Sequence, residues 1–346
     1  MALPPTDLTI ATSLAPTPRF CFVVHALSRV HRGIMGVPSA RMGLIGQWCD
    51  GTGPDDVLPV CTFRLEGVAE GMVVGVPMVP EDLLVDQQRA VDRMVDAVAL
   101  AGNVSAVGLG SLCAVVGGRG DELASRLSVP VTNGGAATAW ALLENVRRVL
   151  EVRGEQRVAV VGSRGPVGQA VVRCLVEDGV QVRVDHPRAA KGLDVEVVTG
   201  AEAVVAGCSV IVGAGPTGGT VPAGSVAPGC VLVDVAIPGT LVGRPHASVL
   251  VLAGEAVSFP VNWKKGFWGG LYHVLSGYGP EQVFACLIEP LIMATTGRTE
   301  PFSIGRSLAS ADVEAFGVAA RALGFAPRLA SGWRGVPQSR LDAPKP

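Results

Sequence analysis

One segment near the middle of the chain restricts the fold more than any other. Residues 157–185 read RVAVVGSRGPVGQAVVRCLVEDGVQVRVD: an apolar run, a loop with three glycines, a helical pattern from Pro166 to Glu177 and a second apolar run that ends at Asp185. A strand that passes through a glycine loop into a helix and then a second strand is a βαβ unit. Three more apolar runs follow, CSVIVGAG, CVLVDVAIP and SVLVLAG. The sequence therefore predicts an α/β protein with a Rossmann-like parallel sheet covered on both faces.

The rest of the chain has a different pattern of apolar and turn-forming residues from this unit. Short apolar runs broken by Gly, Pro and Asp are followed by a helical pattern over 80–102, and two more helices are expected near 280–296 and 310–323. The predicted domains are an N-terminal α/β substrate domain (1–130), a dinucleotide-binding domain (131–260), a C-terminal helical segment that carries Cys286 (261–330) and a loose tail (331–346).

Composition narrows the class of function. The 346 residues are 49% hydrophobic and 17% charged, which suffices for a sizeable core, and the net charge of −2 offers no attraction to nucleic acid. The eight cysteines form no C-x-x-C pair and the five histidines are scattered, so we expect reduced thiols and no metal site. No apolar run of about 18 residues is present, and we expect a cytoplasmic protein without a membrane span.

The glycine loop predicts a dinucleotide site, since free amides at a helix N-terminus bind a pyrophosphate. Its G-x-x-G-x-x-G spacing is the variant common in NADP enzymes. Asp185 lies where an acid would bind the ribose 2′-hydroxyl of NAD, whereas Arg164, Arg188 and Lys191 suit the 2′-phosphate of NADP, so both cofactors stay open. The predicted cofactor-binding residues are Gly162, Ser163, Arg164, Gly165, Pro166, Val167, Gly168, Asp185, Arg188, Gly213, Ala214 and Asp234.

A second stretch, EQVFACLIEP at 281–290, raises a question about its backbone. Pro290 removes the hydrogen bond that the Cys286 carbonyl would accept in a helix, and its ring pushes against that carbonyl. Either the helix bends to fit its neighbours or the backbone around Cys286 is open for a purpose. By spacing alone, Cys286 is a core cysteine that packs as a small apolar group.

The sequence around this cysteine resembles that of a known enzyme family. EQVFACLIEPLIMATTGRTEPFSIGRSLASADVEAFGVAARALGFAPRL is similar to the C-terminal region of the cyanobacterial long-chain acyl-acyl-carrier-protein reductases, which make fatty aldehydes, with FAC, FSIGR and GFAP as the matching segments. Upstream, VAVVGSRGPVG and GCVLVDVAIP match as well, and the resemblance extends with gaps from about Phe20 to Leu329. Departures include Gly135 and Ala137, where the family has asparagine and histidine, and Cys113, where it has threonine.

The resemblance implies reduction of an acyl thioester, on acyl carrier protein or CoA, to an aldehyde with NADP(H), NAD(H) being the alternative cofactor. Cys286 would accept the acyl group as nucleophile. His25 and His273 are candidate proton donors, and the hydroxyls of Thr132, Thr138 and Ser303 are candidate oxyanion donors, a structural role being the alternative for each. The predicted catalytic set is Cys286, His25, Thr132 and Ser303.

Two other functions stay open at this stage. The chain is then either a nicotinamide-dependent oxidoreductase on another carbonyl in specialised metabolism, or a protein that binds a dinucleotide and a carrier without turnover. Arg306 suits a carrier phosphate or carboxylate as well as a structural ion pair. Lys264 and Lys265 suit an acidic carrier protein, although solvated lysines are the simpler interpretation.

Overall fold

The computed structural model describes residues 17–26, 57–65, 67–216, 218–258, 263–265, 282–331, 334–336 and 338–341. His273 lies outside these residues, and so does most of the segment between Phe259 and Glu281.

Strands and helices alternate along the described chain. The helices are α1 (Pro80–Val85), α2 (Gln87–Ala101), α3 (Asp121–Arg126), α4 (Gly135–Arg153), α5 (Pro166–Glu177), α6 (Ala201–Val205), α7 (Ala285–Thr296), α8 (Ser310–Ala322) and α9 (Gln338–Leu341). The strands are β1 (Arg19–His25), β2 (Leu58–Leu65), β3 (Ala69–Val76), β4 (Ala106–Leu109), β5 (Val131–Thr132), β6 (Arg157–Val161), β7 (Gln181–Val184), β8 (Glu196–Val197), β9 (Val210–Gly213), β10 (Val221–Pro222), β11 (Val231–Asp234), β12 (Leu241–Val242), β13 (Leu250–Ala253), β14 (Ala256–Ser258), β15 (Trp263–Lys265), β16 (Gln282–Phe284), β17 (Ala326–Pro327), β18 (Ala330–Ser331) and β19 (Arg334–Gly335).

The central part of the chain forms a six-stranded sheet in which every described pairing is parallel, in the order β8-β7-β6-β9-β11-β13. Counted along the chain, this is the third, second, first, fourth, fifth and sixth strand, the order of dinucleotide-binding Rossmann folds. All residues of β9 and β11 are buried, because helices cover both faces. The predicted fold class is confirmed.

The first part of the chain forms a second six-stranded sheet, in the order β15-β2-β3-β1-β4-β5. Strands β3, β1, β4 and β5 are parallel, whereas at one edge β2 pairs antiparallel with β3 and β15 pairs antiparallel with β2. β5 begins at Val131, so this sheet extends two residues past the predicted domain boundary at 130.

The helical pattern predicted over 80–102 is divided in the structure, so the expectation of one continuous helix is wrong. Asp86 interrupts it with φ −123° and ψ 76°, and its side chain accepts a hydrogen bond of 3.0 Å from the backbone N–H of Arg89. Aspartate competes for backbone donors in this way at helix starts. The chain therefore ends α1 at Val85 and begins α2 at Gln87.

The C-terminal segment completes both halves of the core. β16 pairs with β14 in antiparallel register, and α7 then packs across β4 and β1 of the first sheet. Helix α8 packs on α4 and α5, where the ring of Phe316 meets those of Trp140 and Phe302 edge-on, at centroid distances of 5.6 and 5.3 Å. The segment from residue 282 onward is therefore part of the main core.

None of the helices in the described part of the chain combines the length and the apolar character needed to cross a bilayer.

Candidate active site

A cavity of about 350 Å³ lies where the carboxyl ends of the two sheets face each other. Its wall on the first sheet includes His25 and Ser111, and its wall on the second sheet includes Gly165 and Ala214. Cys286 and Ser303 close it from the C-terminal segment. A volume of this size is at the lower end for small-molecule sites, and the position is the crevice at which Rossmann folds bind ligands.

The glycine loop fits a dinucleotide. Gly162 has φ +80°, and a side chain there would overlap the backbone of Gly215, while one at Gly168 would meet the Gly162 carbonyl at 2.5 Å. A Cβ at Gly165 would meet only the Gly162 carbonyl, at 3.8 Å, so the space above it is open and borders the cavity. The amides of Val167 and Gly168 precede the first bond of α5, from Gln169 to Gly165. Open space above free helix amides is what a pyrophosphate requires.

Asp185 lies against this loop and makes contacts that the sequence did not reveal. Its carboxylate accepts hydrogen bonds from the Gly162 N–H at 2.7 Å, the Ser163 N–H at 3.0 Å and the Ser163 hydroxyl. The side chain thus closes the loop from the side of β7, where a ribose 2′-position would come. Its negative charge opposes a 2′-phosphate at that place. Arg164, Arg188 and Lys191 are exposed nearby.

Asp234, another predicted cofactor residue, stabilises the adjoining loop. The Asp234 carboxylate accepts from the N–H of Ala236 at 3.0 Å and from the N–H and hydroxyl of Thr240, both at 2.7 Å. Burial raises the pKa of Asp234. A side chain at Gly213 would overlap the Asp234 carboxylate, so only glycine fits there. Ala214, the next residue, borders the cavity.

Cys286 occupies the first turn of α7, which begins at Ala285 with Phe284 as its N-cap. Among the seven described cysteines it alone is partly exposed. Amide groups in the first turn have no intrahelical acceptor, and those of Cys286 and Leu287 act to lower the pKa of the thiol. Burial outweighs them and, together with the negative charges of Glu255 and Glu289, raises the pKa of the Cys286 thiol. The resting thiol is therefore protonated at neutral pH.

Pro290 lies against the first sheet. It is buried in α7, and a side chain on Gly108 of β4 would overlap its ring. The absence of a side chain at Gly108 leaves room for the ring, so α7 packs directly on β4.

The N-terminus of α4 approaches the same cysteine. Gly134, its N-cap, has φ +72°, and a Cβ there would lie 2.5 Å from the Cβ of Cys286. Two helix N-termini, those of α4 and α7, thus converge at the thiol. Each contributes partial positive charge, which favours an anion at this point.

A buried carboxylate, Glu289, neutralises part of this field. It lies one turn beyond Cys286 and accepts from the Ala137 N–H at 2.9 Å, the Ser303 hydroxyl at 2.8 Å and the Thr132 hydroxyl. Burial raises the pKa of Glu289. Thr132 is fully buried in this network, whereas Ser303 borders the cavity and accepts from the Gly135 N–H at 2.7 Å.

His25 borders the cavity at the end of β1, with both ring nitrogens engaged. Nε2 accepts from the Leu112 N–H at 3.2 Å and the Ser111 hydroxyl at 3.1 Å, which leaves the proton on Nδ1, 2.9 Å from the Ala26 carbonyl. This neutral, fully bonded ring holds the loop after β4 in place. The hydroxyl of Thr138 likewise donates to the Gly134 carbonyl at 2.9 Å. The hydrogen bonds of His25 and Thr138 are therefore those expected for a structural role, the alternative to a catalytic role for each.

Two charged residues of the cavity were missed by sequence analysis. Glu255 precedes β14, and its carbonyl accepts from the Ala285 N–H at 3.0 Å, so the β14–β16 pairing fixes it beside Cys286. Arg119 follows β4 in a left-handed conformation, φ +67°, which is uncommon without glycine. Neither lies in a recognisable motif, because each is brought to the site by long-range pairing.

Comparison with known proteins finds relatives by sequence and by structure. No family model matches this chain. Aminotransferase PigE from Serratia sp. (strain ATCC 39006) is 29% identical over an alignment of 286 residues that covers 76% of this chain and 33% of that protein. The chain thus spans about a third of the length of that relative.

Three solved structures illustrate the structural matches. A 5,10-methylenetetrahydrofolate dehydrogenase from the silkworm, Bombyx mori, has a TM-score of 0.33 at 16% identity, covering 83% of this chain and 89% of its own. An NADPH-dependent glyoxylate/hydroxypyruvate reductase from Sinorhizobium meliloti scores 0.29 at 14% identity, covering 78% and 99%. A D-isomer specific 2-hydroxyacid dehydrogenase from Lactobacillus delbrueckii ssp. bulgaricus scores 0.25 at 12% identity, covering 63% and 70%. The fold assignment itself rests on the strand order of this chain.

Proposed function

We propose that this protein is a nicotinamide-dependent oxidoreductase that reduces an acyl thioester to an aldehyde through an acyl-enzyme on Cys286. One observation carries the proposal: the thiol of Cys286 and the open glycine loop at Gly165 border the same cavity. An acyl group on the thiol and a dinucleotide on the loop would then share one apolar space. Such proximity is what hydride transfer between them requires.

The first half of the reaction is acyl transfer. Glu255 accepts the thiol proton, and the Cys286 thiolate attacks the thioester carbonyl. The new Cys286–acyl bond forms as the bond to the carrier sulfur breaks, and the carrier leaves as a thiol after taking up the proton. The amides of Cys286 and Leu287 lie in the first turn of α7, where amides have no intrahelical acceptor, and are suited to stabilise the oxyanion of this step.

The second half is reduction of the acyl-enzyme. The glycine loop from Gly162 to Gly168 would hold a reduced nicotinamide dinucleotide, whose chemistry is the donation of a hydride, here to the acyl carbon. The carbonyl oxygen takes a proton, which gives a thiohemiacetal on Cys286. When its carbon–sulfur bond breaks, the aldehyde leaves and Cys286 returns to the thiol. The balance is one thioester, one hydride and one proton to one aldehyde and one free thiol.

NADP(H) is the proposed cofactor, with NAD(H) as the alternative. The loop spacing and the resemblance to the aldehyde-forming reductases favour NADP(H), and Arg164, Arg188 and Lys191 supply positive charge close to the loop. The Asp185 carboxylate favours NAD(H). We choose NADP(H) because three cationic side chains close to the loop outnumber the single Asp185 carboxylate.

Transamination has less support as a function of this chain. The name of the Serratia relative belongs to a protein about three times as long as the matched region. Aminotransferases bind pyridoxal phosphate through a lysine. Among the described residues that border the cavity there is no lysine.

The proposal is tested by intact-mass spectrometry after incubation with an acyl thioester in the absence of cofactor. We expect an acyl adduct on the unmodified protein and none on Cys286→Ala. Cys61→Ser is the matched control, because Cys61 borders the same cavity, and it should retain the adduct. Adding NADPH should remove the adduct and release aldehyde. An adduct that persists in Cys286→Ala would refute the nucleophile, and a stable adduct with either reduced cofactor would refute the reduction.

A further inference from the structure

Arg119, which borders the cavity, and the exposed Arg306 lie on two loops that are hydrogen-bonded to each other. The Arg119 carbonyl accepts from the Gly305 N–H at 3.1 Å and from the Asn133 side-chain amide at 3.2 Å. These bonds tie the loop after β4 to the loop that carries Arg306. Arg119 itself borders the cavity, and so does Ser307, the neighbour of Arg306.

Neither arginine forms an ion pair with a described carboxylate. No described Asp or Glu oxygen lies within 4 Å of either guanidinium, although eight other ion pairs form in this part of the chain. Burial and the neighbouring charge of Arg306 lower the pKa of Arg119. Like charges that repel at a cavity, one of them on a residue held at positive φ, indicate a site for an anion.

We propose that Arg119 and Arg306 bind the phosphate of the phosphopantetheine arm that carries the acyl thioester, the group that CoA and acyl carrier proteins share. This inference rests on the proposed function. Arg119 lies on the wall formed by the first sheet, whereas the amides suited to the cofactor pyrophosphate lie on the wall formed by the second. A thioester whose arm enters past the arginines would reach Cys286 from the wall of the first sheet. The wall of the second sheet, where the glycine loop lies, would remain available to the cofactor.

The decisive comparison uses two substrates that differ by one phosphate, acyl-phosphopantetheine and acyl-pantetheine with the same acyl group. A charge-assisted contact favours the phosphorylated substrate on the order of tenfold in kcat/KM in the unmodified protein. Arg119→Gln/Arg306→Gln should reduce that ratio below about twofold, mainly through KM. Arg306→Gln alone, an exposed position, should reduce it in part. Arg244→Gln is the matched control, since Arg244 is exposed and lies away from the cavity, and it should keep the full ratio.

Further measurements distinguish the possible sources of the phosphate. They also separate this inference from the proposed function. If the double variant lowers kcat/KM by the same factor for acyl-CoA and for acyl-acyl-carrier-protein, the arm that the two share is the ligand. If the double variant keeps the ratio but loses discrimination between NADPH and NADH, the arginines bind the cofactor and the inference is wrong. If the unmodified protein reduces both substrates equally, the phosphate site fails while the proposed function stands. If it reduces neither, yet binds phosphopantetheine in calorimetry and the double variant does not, the site stands and the proposed reaction fails.

Discussion

Cys286 lies between groups that act on its proton in opposite directions. The amides of the first turn of α7 favour the thiolate, while burial and two carboxylates favour the thiol. The two carboxylates differ in their surroundings. Glu289 is enclosed by three donors, whereas Glu255 borders the cavity. Glu255 is therefore the carboxylate that we propose to exchange a proton with a substrate in the cavity.

Replacing Glu255 with Gln should move two rates in opposite directions. Loss of the negative charge lowers the pKa of Cys286, so alkylation of the thiol by iodoacetamide at pH 7.5 becomes severalfold faster. Loss of the proton acceptor slows thioester reduction by about 10²-fold or more. Both rates are measured on one preparation, with exposed Glu202→Gln as the matched control. Parallel changes in the two rates would contradict the role of Glu255 as base.

Glu289 should make folding stability depend on pH. Its pKa in the folded protein is raised above the ordinary value of 4.5, so the proton is held more tightly in the folded state than in the unfolded one. The associated stabilisation is complete below pH 4.5 and is lost as pH rises through the folded pKa. Denaturant unfolding between pH 4.5 and 8 should show the stability of the unmodified protein falling relative to Glu289→Gln. Parallel curves would mean that Glu289 titrates alike in both states.

At the scale of elements, the contact between α7 and β4 depends on a glycine that faces a proline. A methyl group at Gly108 would overlap the rings of Pro290 and Phe22. Gly108→Ala should therefore lower the free energy of unfolding by about 1–3 kcal/mol through overpacking. Because Pro290→Ala removes the ring, the double variant should recover about 1 kcal/mol or more relative to the sum of the single changes. Strict additivity in urea unfolding would show that the two residues are not in contact.

The glycine loop yields a prediction about cofactor choice. Asp185→Asn removes the charge that opposes a 2′-phosphate while retaining one acceptor for the loop amides. The ratio of NADH to NADPH dissociation constants should rise on the order of tenfold, equivalent to ~1.4 kcal/mol. Fluorescence titration measures both constants, with exposed Asp194→Asn as the control. An unchanged ratio would exclude Asp185 from the ribose site.

At the scale of the whole molecule, the C-terminal segment should prove essential for folding. A fragment of residues 1–260 lacks α7, which covers β1 and β4, and α8, which covers α4 and α5. It should therefore show no cooperative thermal transition and little near-ultraviolet circular dichroism, because apolar faces of both sheets are uncovered. Residues 1–341 should unfold cooperatively. A cooperative transition in the shorter fragment would make residues 261–330 a separate segment, as the sequence alone suggested.

The predicted features that the structure confirms have local causes. The βαβ unit at 157–185 was readable because its strand, glycine turn and helix follow one another, and α5 spans the predicted Pro166–Glu177. The break at Asp86 was missed because capping by one side chain overrides a continuous apolar pattern. Glu255 and Arg119 could not be assigned to the site, since pairings between distant segments bring them there. Asp185 was assigned to the cofactor site, but its bonds to the loop depend on how β7 lies beside β6.

Helix α4 gives the molecule a mechanical property. Its first end touches Cys286 through Gly134, and at its last end Arg153 donates to the Gly229 carbonyl, just before β11, at 2.9 Å. With 19 residues it is a rod of ~28 Å that runs from the reactive thiol along the second sheet. Because the helix is continuous and held at both ends, it is a rigid connection between Cys286 and the start of β11, so a displacement of one end is transmitted to the other.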